Sequence, residues 1–321
     1  MLFMSLTCTR AHRMVTAWSA ATCTVAGVVW NDLPARVAEP GTEEARVTTT
    51  VENPSPTPVS IGAPRGGPDQ PTLRKDNWWV EPLVTFVVLV SFVAYSTWAA
   101  FVGKNYYAGA DLHRDLISPF YSPCIANSCV TGSHSFGTLP FWNYSPALLI
   151  LIFPLGFRLT CYYYRKAYYR SFWLSPPACA VSDAHRSYSG ETRFPLILQN
   201  IHRYFFWILL LFNCILTYDA IIAFRQPGYG IGISIGTVVL CANAAFLWLY
   251  SLSCHACRHF CGGQVRSFAK HPTRHKLWKF VTPLNAHHMR FAWISLFGVA
   301  LCDLYVRLVA SGTIHDPGFH F

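Results

Sequence analysis

The chain has 321 residues, of which 52% are hydrophobic, 16% aromatic and only 12% charged. A soluble domain carries about 25% charged residues, so this composition excludes an ordinary soluble enzyme and points to a membrane protein. The formal charge of +10 is not in itself a nucleic-acid signal, because basic residues gather at the cytoplasmic ends of membrane helices.

Residues 1–76 stand apart from an expected membrane domain over 77–321. Met14 to Trp30 is only weakly apolar and fits a signal sequence or a marginal span. Residues 31–76 are rich in Pro, Gly, Thr and Glu and read as a disordered extension. An alternative is a true start downstream, at Val47. Lys75-Asp76-Asn77-Trp78-Trp79 then places paired tryptophans where an interface would hold them. Five apolar runs follow, about Leu83–Val102, Pro146–Tyr163, Tyr204–Phe224, Ile231–Leu252 and Phe291–Val309. About twenty apolar residues cross a bilayer as a helix. The expected fold is therefore an all-α bundle of five transmembrane helices.

Charge orients it. The connection after the second run carries Arg165, Lys166, Arg170, Arg186, Arg193 and Arg203, and that after the fourth carries Arg258, Arg266, Lys270, Arg274, Lys276, Lys279 and Arg290. The long loop 104–144 has only Lys104 and Arg114. The positive-inside rule then puts the N-terminus in the cytoplasm and the C-terminus outside. Cys124 and Cys129, in the outer loop, are expected to form a disulfide. No internal repeat is visible, which argues against inverted-repeat transporters.

The densest chemistry lies in Ser253-Cys254-His255-Ala256-Cys257-Arg258-His259-Phe260-Cys261. Thiolates and imidazoles together suit zinc or iron–sulfur chemistry better than magnesium or calcium. With the topology in place, Cys161, His202, Cys254, Cys257, His287 and His288 fall at one depth, on the ends of four helices. Two Cys and two His form the ligand set of a Rieske-type 2Fe-2S centre, and equally of structural zinc. No histidine lies deep in a span, and Arg258 follows Cys257 where a haem-attachment run would need His. A bis-His haem b between His202 and His288 is the alternative. Asp219, Asp303 and Arg307 are ionisable groups inside spans, which pair with each other or line a polar pathway. One reading is a self-satisfied Asp303–Arg307 pair. The other is proton handling beside a quinone, with Tyr218 and Tyr305 in the outer half or Tyr168, Arg170, Ser171 and Trp173 at the cytoplasmic face. For most of the tyrosines an interfacial aromatic belt is the simpler reading.

Five stretches carry a family resemblance: Asp76–Pro82, Ser118–Cys124, Cys161–Cys179, Gly190–Asn200 and Cys254–His259. From about residue 76 onward the chain resembles the membrane anchor subunit of actinobacterial-type (type F) succinate dehydrogenase, respiratory complex II. The resemblance implies an anchor in the cell membrane, docked to a flavoprotein subunit and an iron–sulfur subunit. It also implies a Rieske-type 2Fe-2S cluster within the membrane in place of haem, passing electrons to quinone (menaquinone or ubiquinone), and it leaves room for a higher oligomer. The expected ligands are Cys161 and Cys254 on one iron, with His202 and His288 on the other. Cys257, His255 and His259 are close alternates, and Cys179 a more distant one. The expected quinone-binding residues are Arg170, Ser171, Trp173, Tyr218, Asp219, Asp303 and Arg307. Competing readings are a haem-bearing anchor, a small channel or transporter, and an anchor without a redox centre.

Overall fold

A computed structural model describes residues 74–134, 137–185, 190–263 and 265–321. The expected extension and the alternative start at Val47 lie outside the described residues. Helix α1, Val80–Val102, ends at Gly103, whose φ of 60° is the left-handed cap that glycine adopts without strain. Only 11% of its most apolar window is buried, against 50% for the last long helix, α9, His288–Ala310. So α1 is peripheral, with Leu83, Val84, Val87 and Phe101 exposed where lipid would lie, and α9 is central.

The second apolar run is broken. It forms α2, Ala147–Ile150, and α3, Ile152–Thr160. Cys161 then adopts an extended backbone, ψ 131°, and the chain turns 78° into α4, Tyr162–Phe172. The expected straight span to Tyr163 is thus corrected, as is the reading of Tyr162–Phe172 as loop. The next long helices are α5, His202–Ile222, and α6, Ile235–Leu252. A short turn of helix, α7, His255–Arg258, leads to α8, Pro272–Ala286, in a stretch expected as loop. Its Pro272 occupies the first turn, where a missing N–H costs nothing. Among the described residues, four helices are long and apolar enough to cross a membrane, and a fifth span is counted if α2–α4 is one bent crossing.

The chain is not purely helical. Tyr107–Ala108 (β1) pairs antiparallel with Leu116–Ile117 (β2). Arg225–Gln226 (β3), Gly230–Ser234 (β4) and Gly318–His320 (β5) form a three-stranded antiparallel sheet, with Ile233 opposite Phe319. The fourth helix accordingly begins at Ile235, four residues later than its apolarity indicates, under a capping box from Ser234 and Thr237. Loop 104–144 is packed rather than free: Tyr106, Ile117, Phe120 and Tyr121 are buried, and Cys124 and Cys129 are disulfide-bonded. Gly156 lets α3 and α5 approach closely, since a Cβ there would meet the Phe205 ring at 2.4 Å.

Candidate redox centre and adjoining cavity

At one end of the bundle, two Ser/Thr–Cys dipeptides take the same local form. Cys161 and Cys254 each cap the start of a helix with extended backbone, at ψ 131° and 145°. Both thiols are 1% exposed and sit in one core cluster with Phe157, Tyr250 and Leu296. His202 Nε2 lies 3.1 Å from Cys254 Sγ, and His288 Nε2 lies 3.4 Å from Cys161 Sγ. The other ring nitrogen of each histidine meets the hydroxyl of the opposite dipeptide: His202 Nδ1 to Thr160 Oγ1 at 2.8 Å, His288 Nδ1 to Ser253 Oγ at 2.7 Å.

These hydroxyls fix the tautomers. Thr160 Oγ1 donates its single proton to the Gly156 carbonyl at 2.7 Å, and Ser253 Oγ donates to the Tyr250 carbonyl at 3.0 Å. Each hydroxyl must therefore accept from Nδ1–H. That leaves the Nε2 lone pair of each histidine facing a sulfur, as a metal ligand requires. The Ala256 N–H points at Cys254 Sγ, 3.4 Å away. Burial, with the neighbouring Cys161, pushes the Cys254 thiol up, so a cation would have to supply the charge that lets it ligate. Among the described residues, no three His, Cys, Asp or Glu side chains converge on one metal-ion position. The donors come instead as two Cys–His pairs.

The alternates lie to one side. His255 Nδ1 meets Asn285 Nδ2 at 3.0 Å and its ring stacks on Tyr163. Cys257 is buried beside Cys261, and His259 is exposed over Gly263. Exposed Cys179 faces Arg170 Nη2 at 3.9 Å.

Beside the Cys–His cluster opens a cavity of about 250 Å³, walled mainly by apolar side chains from α1, α2, α3, α5 and α6. Its lining includes Phe157, Tyr250, Arg158 and Asn213. Phe157 stacks on His202 with centroids 4.6 Å apart, and Tyr250 stacks on His288 at 5.2 Å. Arg158, 9% exposed, reaches Tyr164 Oη at 2.5 Å and Ser295 Oγ at 3.2 Å, and lies over the Tyr250 ring. Asn213 Oδ1 is buried with no hydrogen-bond partner among the described residues.

None of the seven expected quinone residues lines this cavity. Ser171 Oγ bonds back to Ala167 O, and Trp173 packs edge-on against Tyr168 and Tyr169, as in an aromatic belt. Asp303 accepts from Tyr95 Oη at 2.6 Å, from Arg307 Nε at 2.8 Å and from Ser118 Oγ. Arg307 also donates to the carbonyls of Lys104 and Ala99. The pair is fully satisfied. Asp219 accepts from Ser122 Oγ and lies 2.7 Å from His134 Nδ1, while half-exposed Tyr218 meets the same imidazole edge-on. Burial alone would lower the His134 pKa; hydrogen bonds to Asp115 and Asp219 outweigh it and raise the value to about 9.

The model of the actinobacterial succinate dehydrogenase subunit SdhC family matches residues 80–312. The chain belongs to this family. It is a multi-pass membrane anchor subunit of a succinate dehydrogenase complex, and it acts as part of that oxidoreductase. Among solved structures it is similar to a chain of the Mycobacterium smegmatis Sdh1 complex in the apo form. That chain is 51% identical, with a TM-score of 0.72 over 78% of this chain and 94% of the other. No curated protein matches the chain. Family membership sets aside the channel and transporter reading. What the residue pattern missed in this SdhC-family chain are the hydroxyls of Thr160 and Ser253 and the stacking rings of Phe157 and Tyr250. One signal was available: the hydroxyl–Cys dipeptide occurs at both 160–161 and 253–254.

Proposed function

We propose that the chain relays electrons from an iron–sulfur subunit to a quinone in the cavity, through a Rieske-type 2Fe-2S centre held by Cys161, Cys254, His202 and His288. The observation that carries this reading is the pair of matched Cys–His contacts. Two cysteines and two histidines are the donor set of such a cluster, and they do not converge on one point as the four donors of a single zinc must. When bound, such a centre supplies one-electron exchange at a potential raised by its histidine ligands. The expected division, Cys161 and Cys254 on one iron with His202 and His288 on the other, is the one that such a centre requires.

The protein's own part is orientation and exclusion. Thr160 and Ser253 aim the imidazoles, and the apolar core around Cys161 and Cys254 keeps water out. Phe157 and Tyr250 stand between the histidines and the cavity, so a flat ring bound there would be one aromatic layer from His202 and His288. Arg158 and the unpartnered Asn213 Oδ1 offer polar contacts to an otherwise apolar guest. A bis-His haem is disfavoured, because the Nε2 of each histidine faces a buried cysteine sulfur within 3.4 Å. Five spans, with α2–α4 as one bent crossing, would put the residues just before α1 and those after α9 on opposite sides. The basic residues flanking the Cys–His end support its facing the cytoplasm, where flavoprotein and iron–sulfur subunits would dock.

Replacing His202 and His288 by Ala in the assembled complex tests the reading. Quinone reduction should be lost while succinate oxidation by a soluble dye persists. EPR of the dithionite-reduced complex should lose a signal of low average g-value. Retained quinone reduction, or a visible spectrum with sharp haem b bands, would overturn it.

A further inference from the structure

The cavity runs along the bundle, and its two ends differ. One end abuts the Cys–His cluster. The other is walled by Phe101, Pro119 and Ser122. Asp219, which accepts from Ser122 Oγ, lies 17 residues along α5 from His202, about 25 Å at 1.5 Å per residue. From Ser122 a hydrogen-bonded chain leads away from the cavity. Ser122 Oγ bonds to Asp219 Oδ2, and Asp219 Oδ1 lies 2.7 Å from His134 Nδ1. His134 Nε2 lies 2.8 Å from Asp115 Oδ1, which also accepts from Tyr107 Oη at 2.9 Å. The Asp115 side chain is 11% exposed, against 2% for Asp219 and 7% for His134, so exposure rises along the chain away from the cavity. Its members come from α5, from β1, from the segment between β1 and β2 and from the loop after β2, and none is needed to hold the Cys–His cluster.

We infer that Ser122, Asp219, His134 and Asp115 form a proton relay that joins the cavity to the water at the end of the bundle away from the Cys–His cluster. This inference rests on the reading that a quinone occupies the cavity. Reduction of a quinone to the quinol takes two electrons and two protons. The electrons would arrive at the cluster end and the protons at the Ser122 end. In each transfer Ser122 gives its hydroxyl proton to a reduced quinone oxygen and takes one from Asp219. Asp219 takes one from His134 Nδ1, which leaves a neutral ring with its proton on Nε2; the ring then turns over, so that the bare nitrogen faces Asp115 and takes a proton delivered there from water. With the ring turned, each group is back in its starting protonation state, and one proton has crossed. Imidazole is suited to this because its two nitrogens face two different carboxylates here.

The test uses the whole complex in proteoliposomes, with succinate and a short-chain quinone. His134→Ala should slow quinone reduction about 100-fold, the scale of a lost proton donor, with dye-linked succinate oxidation unchanged. Added imidazole should restore much of the rate in His134→Ala and none in Ser122→Ala. A purely structural role for His134 would not respond to imidazole. A lumenal pH dye should show protons drawn, in the wild type, from the compartment facing away from the soluble subunits. Should His134→Ala fail to accumulate, Ser122→Ala alone is read, and wild-type turnover in it overturns the relay. Wild-type turnover in His134→Ala, or protons drawn from the other compartment, also overturns it. Leu209→Trp, which fills the cavity, separates the two readings. If it leaves quinone reduction intact, the quinone is elsewhere and both readings fall. If it blocks reduction while His134→Ala does not, only the relay falls.

Discussion

Thr160 and Ser253 do more for the candidate centre than their small size indicates. Each spends its proton on a backbone carbonyl and so can only accept from a histidine Nδ1–H. Removing that acceptor frees the imidazole to rotate or change tautomer. Groups that orient metal-bound histidines typically matter 10–100-fold in affinity or activity. Thr160→Val and Ser253→Ala should therefore each lower bound iron and acid-labile sulfide, and quinone reduction with them. Thr160→Ser should stay close to wild type. Wild-type iron, sulfide and turnover in both deletions would remove the hydroxyls from the argument. The four Cys and His residues were legible because only a few side-chain types bind soft metals and helix ends share a depth. Thr160 and Ser253 were not, since Ser and Thr are common everywhere and only the fold brings each to the histidine of the other dipeptide.

At the scale of elements, hydropathy found the long helices and missed the amphipathic ones. The Tyr162–Phe172 and Pro272–Ala286 helices are too charged and aromatic to score as spans, so composition alone reads them as loop. Their helical order comes from packing: the first lies against α1, where Phe86 meets Phe172 at 4.7 Å, and the second is tied by Asn285 Nδ2 to the Ser253 carbonyl at 2.7 Å. The break at Cys161 was also invisible, because Pro154 and Gly156 mark the wrong residues. Pro154 sits in the first turn of its helix and is tolerated; Gly156 marks a close approach. Gly156→Ala would press a methyl into the Phe205 ring and should cost about 1–3 kcal/mol by overpacking. Thermal unfolding of the solubilised complex measures this. Phe205→Leu in the same chain should recover part of the loss. A Gly156→Ala midpoint equal to wild type would mean α3 and α5 separate without cost.

Over the whole molecule, the two ends are held by different chemistry, and only one should respond to mild alkali. The Cys–His end relies on apolar burial and hydroxyl–imidazole bonds. The opposite end is tied by charge: Arg114 to Asp316, Arg307 to Asp303, and His134 between Asp115 and Asp219. The groups facing the His134 imidazole are those two carboxylates, with Tyr107 and Tyr218 edge-on to its ring. Its pKa rises from 6.5 to about 9 in the folded chain. A raised value means that the stabilisation is fully present below pH 6.5 and is lost as pH climbs through 9. The 2.5-unit difference corresponds to roughly 3 kcal/mol. Hydrogen exchange over residues 109–134, corrected for intrinsic rates, should thus lose roughly a hundredfold of protection between pH 6.5 and pH 9.5. In His134→Gln, which cannot carry the charge, protection should start lower and stay flat across that range. If His134→Gln falls with the same slope as wild type, some other group clamps this loop to α5, and the imidazole is a bystander.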